Sequence, residues 1–528
     1  MFRILVADKI GSAGIRRLEE ESDVTVDVKT GLPKAELCSL IPTYDALLVR
    51  SSTQVDADLL SVAPKLRVIG RAGMGVDNID VAAATARGIL VMNTPGVNSI
   101  ATAEHTILLM LAAARHTAEA HQSVLQGEWR RSDFIGVQLY RKVLGLIGFG
   151  RIARHVAKRA RTFDMEVIAF DPYVSEEVGQ EMGITLVDLE ELLAQADIIS
   201  LHASLSDETL HILNTETLAK TKDGVIIINS SRGQLVDEQA LANALTSGKV
   251  RAAAVDVYNK EPPGTDHPLI GLANVLHTPH LGASTEEAQR DVSIQIVEQV
   301  MDALRNEDFR NSVNMPFPAG PEYASVLPYL QLGEKIGVLQ FHMADAPIRA
   351  IELELSGDTA IEFAKPIATG VLKGVMMNII ADPVNYINAP ALAEEHGIGI
   401  SQTKGLGSSE FANAISCRAN WADGNRVIIG SVFDGERPRI VQVGDYHLDV
   451  DPSGTLLVMK NSDVPGVIGQ VGTLLGDYGV NIGEWRLGRV RKGEDALSFI
   501  NLDNEPSKAA MTALGKISAV KKLKVIRL

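Results

Sequence analysis

Three polar side chains follow three apolar runs near the middle of the chain. Arg232 follows GVIIINSS, Glu261 follows AAAVDVYNK and His280 follows NVLHTP. Short apolar runs bounded by Gly, Asp or Asn predict strands of a parallel sheet. The carboxyl ends of such strands open on the ligand crevice, so three strand ends deliver a guanidinium, a carboxylate and an imidazole to one place. An imidazole titrates near neutrality and can take a hydroxyl proton. A guanidinium binds a carboxylate through two parallel hydrogen bonds. A carboxylate beside the imidazole orients it and favours its protonated form. The set fits oxidation of a secondary alcohol, provided a hydride acceptor lies alongside.

The stretch VLGLIGFGRIARHVAKRA, residues 143–160, supplies the place for one. An apolar strand runs into Gly148, Gly150 and Ala153, in the G-x-G-x-x-G/A spacing, and then into a helix. Gly148 permits the tight turn, Gly150 lets the backbone approach a pyrophosphate, and Ala153 is small enough for helix to pack on strand. The helix start, at Arg151 and Ile152, offers oriented N–H groups to the anion. The next strand, EVIAFD, ends at Asp171. An acid about twenty residues beyond the glycines accepts the ribose hydroxyls and disfavours a 2′-phosphate, so the expected cofactor is NAD rather than NADP.

These residues need a scaffold, and the chain is long enough for three or four domains at 528 residues. Lys plus Arg total 50 against 66 Asp plus Glu, a net charge of −16, which argues against general nucleic-acid binding. Cys38 and Cys417 lie far apart and match no metal or redox spacing, so no metal is expected. Free thiols fit a reducing compartment. MFRILVADKI reads as a strand rather than a leader, and TILLMLAAA at 106–114 is too short to span a bilayer. A cytoplasmic protein that engages no membrane is expected.

The first 310 residues alternate strand runs with helical patterns, the signature of βα units in an α/β fold. The rhythm restarts at 143, so two Rossmann-like doubly wound lobes are expected. Residues 99–284 form the dinucleotide-binding lobe, and 1–98 plus 285–315 form a substrate-binding lobe. SIATAEHTILLMLAAARHTAEAHQSVLQG, from residue 99, reads as one long crossing helix, and STEEAQRDVSIQIVEQVMDAL returns the chain to the first lobe. The proline-rich MPFPAGPEY marks a boundary, after which 316–452 holds a further α+β unit. Residues 453–528 read strand, helix, two strands, helix, strand, the ferredoxin-like βαββαβ order.

The motifs GFGRIA, NSSRGQLVDEQAL, DVYNKEPP and TPHLGAST resemble the D-isomer-specific 2-hydroxyacid dehydrogenase family, and VRSST, GRAGMGVDNID and NTPGVNSIATAEH extend the resemblance into the first lobe. It implies Arg232 as anchor of the substrate carboxylate and carbonyl, His280 as acid/base and Glu261 as its partner. Glu261 points away from the formate dehydrogenase branch, where Gln pairs with the histidine. The cofactor contacts it implies are Gly148, Gly150, Arg151, Ile152, Asp171, Ser230, Asp256, Gly282 and Ala283. Two residues depart from the usual pattern: Ala153 replaces a glycine, and Met74 replaces a smaller or hydroxylated residue.

The tail motif KNSDVPGVIGQVGTLLGDYGVNIGEWRLGR resembles an ACT domain, a small unit that binds amino acids. YINAPALAEEHGI and FDGERPRIVQVGDYHLDV resemble the intervening domain of a long bacterial branch of the family. The combination implies D-3-phosphoglycerate as substrate, 3-phosphohydroxypyruvate as product, and serine as feedback effector at Asp463 and Asn481. A phosphate needs cations beyond Arg232; the resemblance selects Arg50, Arg71 and Arg131, with Asn98 nearby, from a set that includes Arg130. Arg131 is expected to act across a dimer interface, and paired ACT domains imply a homo-oligomer, a tetramer. Two other readings share part of this pattern: a dehydrogenase of another D-2-hydroxy acid, and a dinucleotide-sensing corepressor on the same fold.

Overall fold

Val225–Asn229 is five apolar or amide residues long and buried throughout. A run too short for a helix and apolar on both faces is stable only between two covering layers, as a central strand of a parallel sheet. The computed structural model describes residues 1–317, 323–405, 411 and 413–528, and over them this logic produces four sheets. Part of the proline-rich boundary, residues 318–322, lies outside the described residues.

The first sheet contains β1 (Phe2–Val6), β2 (Val24–Val28), β3 (Ala46–Val49), β4 (Val68–Arg71) and β5 (Leu90–Met92). Its order is β2-β1-β3-β4-β5, with every pair parallel. The chain then enters α1 (Ser99–Ala114) and α2 (Thr117–Leu125). The single long crossing helix expected from the sequence is therefore two. His116 takes a left-handed φ of 53°, and the Ala114 carbonyl accepts the Val137 amide at 2.9 Å instead of continuing the helical ladder.

The second sheet comprises β6 (Val143–Ile147), β7 (Glu166–Phe170), β8 (Thr185–Leu186), β9 (Ile198–Leu201), β10 (Val225–Asn229), β11 (Val250–Val255) and β12 (Val275–His277). Its order is β12-β11-β10-β9-β6-β7-β8, again parallel. From β6 the chain builds outward through β7 and β8, then returns to β9 on the other side of β6. The topological switch point therefore lies between β6 and β9, where an open α/β sheet makes its ligand crevice. α3 (Arg151–Ala160) follows β6 and buries Ala153, Val156, Ala157 and Ala160. After β12, α4 (Glu286–Arg305) is capped by the Thr285 side chain. It buries Val292, Ile296, Val297 and Val300 against Ile4, Val6, Leu48 and Val68, which completes the first lobe.

α5 (Tyr323–Met343) and α6 (Ala364–Met376) cover a third, mixed sheet. Its strands are β13 (Ala350–Leu355), β14 (Gly399–Lys404), β15 (Ala414–Trp421), β16 (Gly424–Phe433), β17 (Arg437–Val443) and β18 (Tyr446–Val450). The last unit runs β19 (Thr455–Ser462), α7 (Val467–Asp477), β20 (Ile482–Arg489), β21 (Asp495–Leu502), α8 (Lys508–Leu514) and β22 (Val520–Arg527). Its antiparallel order, β20-β21-β19-β22, is the ferredoxin-like arrangement. Leu456, Val458, Leu497, Phe499 and Ile526 from one face of this sheet join the core of the third unit. Among the described residues no helix is long and apolar enough to cross a membrane.

Candidate active site

The glycine turn at the end of β6 sits at the switch point. Gly148 has φ +89°, and a Cβ there would lie 2.6 Å from the Ala203 amide nitrogen just after β9, so the turn itself requires glycine. Gly150 differs. A Cβ on it would meet no protein atom within 4 Å, so the chain's own packing does not require its small size. It precedes α3 with no side chain capping the helix. The free space and the uncapped N–H groups fit a pyrophosphate. Asp171 at the end of β7 accepts the Phe149 amide at 2.8 Å and the Tyr173 amide at 2.9 Å, which ties the turn to the neighbouring strand. Each carboxylate oxygen keeps acceptor capacity for a ribose hydroxyl. Arg151 reaches across the lobes to the Pro95 carbonyl at 3.2 Å, and Ile152 is half-buried against the core.

The three strand ends beyond β9 carry the polar set. Glu261 Oε2 stands 2.7 Å from His280 Nδ1, and Glu261 Oε1 accepts the Tyr258 amide at 3.2 Å. Both side chains are partly open to solvent, at 37% and 45%. Burial alone would raise the Glu261 carboxyl; the hydrogen bond and charge of His280 outweigh it and hold the group below the ordinary carboxylate range. Arg232, after β10, donates from Nε to Asp77 of the first lobe at 3.1 Å and from Nη1 to the Ser231 carbonyl at 2.8 Å. Arg71, at the end of β4, is mostly buried and its Nε has no partner. Burial, then the charges of Arg232 and Arg50, push its guanidinium down to about 10. The charges of Arg232 and Arg50 thus both reach Arg71, and Arg232 is itself paired with Asp77.

Asn98 precedes α1 without a side-chain cap, and its buried Oδ1 is unpartnered. Arg131 is exposed in a short 3-10 turn, Arg131–Asp133, and no hydrogen bond or ion pair links it to Arg50, Arg71 or Arg232 among the described residues. Arg130 is paired with Glu128 at 2.9 Å. Met74 is exposed between Gly73 and Gly75, which abut Arg71 and Arg232, and its carbonyl accepts Asn93 Nδ2.

Behind His280 lies a buried clamp. Asp256, fully closed to solvent, accepts Thr278 Oγ1 at 2.6 Å and the Leu281 amide at 2.7 Å on Oδ1, and the Gly282 amide at 2.9 Å on Oδ2. His105 Nε2 stands 3.1 Å from Oδ1. The His280 amide donates to the Asp256 carbonyl at 2.8 Å. Burial would raise this carboxyl, but the donors from His105, Thr278 and Leu281 keep it below its ordinary value. Asp256, expected among the cofactor contacts, thus lies beneath the crevice surface, and its oxygens are engaged by the His280 loop. Ser230 is likewise buried, with its Oγ 2.8 Å from Thr106 Oγ1. Gly282 is buried and Ala283 half-buried on the same loop. His105, Thr278 and Asp77 were not singled out from the sequence. The available signal was Thr102, His105 and Thr106 interrupting an apolar helix at one-turn spacing.

In the last unit, Asp463 follows β19 and accepts the Gly493 amide at 3.1 Å and Arg489 at 3.2 Å. Asn481 precedes β20 and donates to Asp503 at 2.6 Å. Among the described residues no hydrogen bond joins the two residues to each other or to a shared partner.

The family model for the D-isomer specific 2-hydroxyacid dehydrogenase NAD binding domain matches residues 107–282. That for the D-3-phosphoglycerate dehydrogenase intervening domain matches 325–444. The chain is 42% identical over 529 residues, with all of both chains covered, to a D-3-phosphoglycerate dehydrogenase of Methanocaldococcus jannaschii. It is 40% identical to that of Mycobacterium tuberculosis, with 99% of each chain covered. The chain belongs to the D-3-phosphoglycerate dehydrogenase family. It is an NAD-dependent oxidoreductase of that family. The TT0316 protein of Thermus thermophilus, at 36% identity and TM-score 0.55, covers 59% of this chain with 99% of its own. A D-lactate dehydrogenase from Aquifex aeolicus solved with NAD and lactic acid, at 28% identity and TM-score 0.52, covers 58% with 96% of its own. The likeness to each of these structures thus extends over less than two thirds of this chain.

Proposed function

We infer that the protein oxidises D-3-phosphoglycerate to 3-phosphohydroxypyruvate, the entry to serine biosynthesis, with NAD as acceptor. The observation that carries this reading is the hydrogen-bonded Glu261–His280 pair at the strand ends of the sheet that also presents Arg232, whose charge together with that of Arg50 acts on the unpartnered Arg71. The Gly148–Ile152 turn would hold NAD, with Asp171 at its ribose, and the bound cofactor would supply a hydride acceptor. Arg232 holds the substrate carboxylate through paired hydrogen bonds and polarises the C2 oxygen. His280 takes the C2 hydroxyl proton, and Glu261 stabilises the imidazolium that results. Arg50 and Arg71 bind the phosphate with Asn98 beside them, and Asp256 and Ser230 act from beneath by fixing the strand ends.

The same reading assigns Arg131 to the neighbouring subunit's site. Trp129 and Ile135 flank it with 81% and 73% of their surface exposed, which suits an interface between two copies. With paired ACT-like units at the other end, the assembly is a homotetramer in which serine binds at Asp463 and Asn481 and inhibits. The acidic balance and two free cysteines suit a cytoplasmic enzyme. The test is NADH formation from D-3-phosphoglycerate, compared with D-glycerate and D-lactate and repeated with serine. Turnover of the phosphorylated acid well above the others is expected, with serine lowering it. Equal turnover of D-glycerate rejects the substrate assignment, and indifference to serine removes the effector.

A further inference from the structure

Thr102, His105 and Thr106 lie on one face of α1, three and four residues apart. Each meets a strand end that carries a residue of the reaction inferred above. Thr106 Oγ1 is 2.8 Å from Ser230 Oγ, two residues before Arg232. The Thr102 methyl lies 3.4 Å from where a Cβ on Gly282 would stand, two residues after His280. His105 is 11% exposed and reaches Asp256, the buried carboxylate that gathers the His280 loop.

The donors on Asp256 differ in origin. Thr278, Leu281 and Gly282 belong to the loop itself. Among the described residues, His105 alone joins that carboxylate to an element arriving from the other lobe. His280 has a left-handed φ of 56°, and its amide is held on the Asp256 carbonyl at 2.8 Å. His105 Nε2 is also 3.4 Å from Thr278 Oγ1, and because an ionised Asp256 accepts and cannot donate, it is the His105 ring nitrogen that can donate across the 3.1 Å contact.

We propose that His105 is a positioning residue: through Asp256 it fixes the His280 loop to α1, so the acid/base is aimed by the helix that links the lobes. The proposal rests on the catalytic reading above only in taking His280 as the acid/base. Its consequence is specific. Loss of the His105 donor leaves NAD and substrate contacts in place but lets the loop relax, and a displacement of about 1 Å at the reacting group costs on the order of 100-fold. The charge on Asp256 is then less compensated. Glu261 and Tyr258 are the other titratable groups in its electrostatic reach.

The experiment compares His105→Ala and His105→Gln with the wild type in the full-length protein. It measures kcat, KM for both substrates, the pH profile of kcat, NAD affinity and thermal midpoint. For His105→Ala, kcat is expected to fall about 10- to 100-fold, NAD affinity to hold, and the rising limb of oxidation to move to higher pH. His105→Gln, whose amide can donate to Asp256, recovers most of kcat. A His105→Ala enzyme with wild-type kcat and an unmoved limb overturns the proposal. So does an equal loss in both variants that follows their thermal midpoints. If the wild type makes no NADH from D-3-phosphoglycerate, the substrate reading fails on its own. The His280 ring resonances of histidine-labelled apoprotein then decide the positioning role: a change in His105→Ala reversed in His105→Gln supports it, and no change rejects it.

Discussion

An imidazole 2.7 Å from a carboxylate serves alcohol oxidation in one protonation state and hydroxyacid formation in the other. Replacing His280 with Ala is expected to lower kcat roughly 100- to 10,000-fold, the usual loss of a general base. NAD affinity by fluorescence titration is expected to remain, because no cofactor-turn residue touches the imidazole. Glu261→Gln keeps an acceptor but removes the anion that favours the imidazolium. The rising limb of oxidation against pH is therefore expected to shift to lower pH as the maximum falls; an unmoved limb rejects an electrostatic role. Glu261 itself does not create that limb. Its folded carboxyl sits below the unfolded value of about 4.3, so the stability it contributes is present above that pH and is lost only as pH falls through the folded value. Arg232, Glu261 and His280 were legible because each follows an apolar run. The bonds of Asp256 to Thr278, Leu281 and Gly282 and its contact with His105 were not legible, because they join residues remote in sequence.

The two glycines of the cofactor turn separate what the fold needs from what a ligand needs. Gly148→Ala drives a methyl group into the Ala203 backbone at a positive φ. It is expected to destabilise the apoprotein by about 1–3 kcal/mol and to abolish NAD binding. Gly150→Ala meets no protein atom. It is expected to cost the apoprotein no more than about 1 kcal/mol, as a poorer helix cap, while weakening NAD binding sharply. Thermal midpoints without cofactor, set beside NAD titrations, check the contrast. A large drop in apoprotein stability for Gly150→Ala rejects the assignment of that space to ligand. Central strands were readable at this scale because two buried faces make a continuous apolar run. β2 and β8 were not read from the sequence: both are edge strands and only partly buried, so their patterns are diluted. The break at His116 was missed for another reason. It is set by the Val137 amide, 21 residues on, and no local propensity encodes that bond.

Across the whole molecule, acid stability reflects a histidine outside the proton-transfer pair. His202 follows β9, is half-buried, and has its Nε2 2.9 Å from Ser200 Oγ; loss of hydration there pushes it down to about 4. The unfolded chain takes up a proton below about pH 6.5 that the folded chain refuses until near pH 4, so stability falls with pH across that window. His202→Gln is expected to flatten the thermal midpoint between pH 6.5 and 4, and scanning calorimetry across the window checks it. An unchanged slope assigns acid sensitivity elsewhere. The effector test also belongs to this scale. The last sheet shares an apolar core with the third unit, so removing it would bare Leu456's partners; Asp463→Ala and Asn481→Ala isolate the serine response without that exposure. The two parallel sheets were readable from the restart of the strand rhythm at 143, and the last sheet from its strand–helix–strand order. The lobe-to-lobe ties, Arg232 to Asp77 and Arg151 to Pro95, were not, because they join residues remote in sequence.

The helix that completes the first lobe, α4, is encoded after the entire second lobe. During synthesis Ile4, Val6, Leu48 and Val68 emerge early but lack their covering layer until residues 286–305 have left the ribosome. At about 5–20 residues per second that delay is roughly 10 to 40 s. The dinucleotide lobe is thus born second and finishes first, while the earlier lobe waits with one face of its sheet bare and open to chaperones. Ribosome-bound chains that expose residues 1–285 are expected to yield a protease-resistant second lobe and a digestible first one, with protection of the first arriving when residues through 315 are exposed. Early protection of the first lobe would show that its five strands need no late helix.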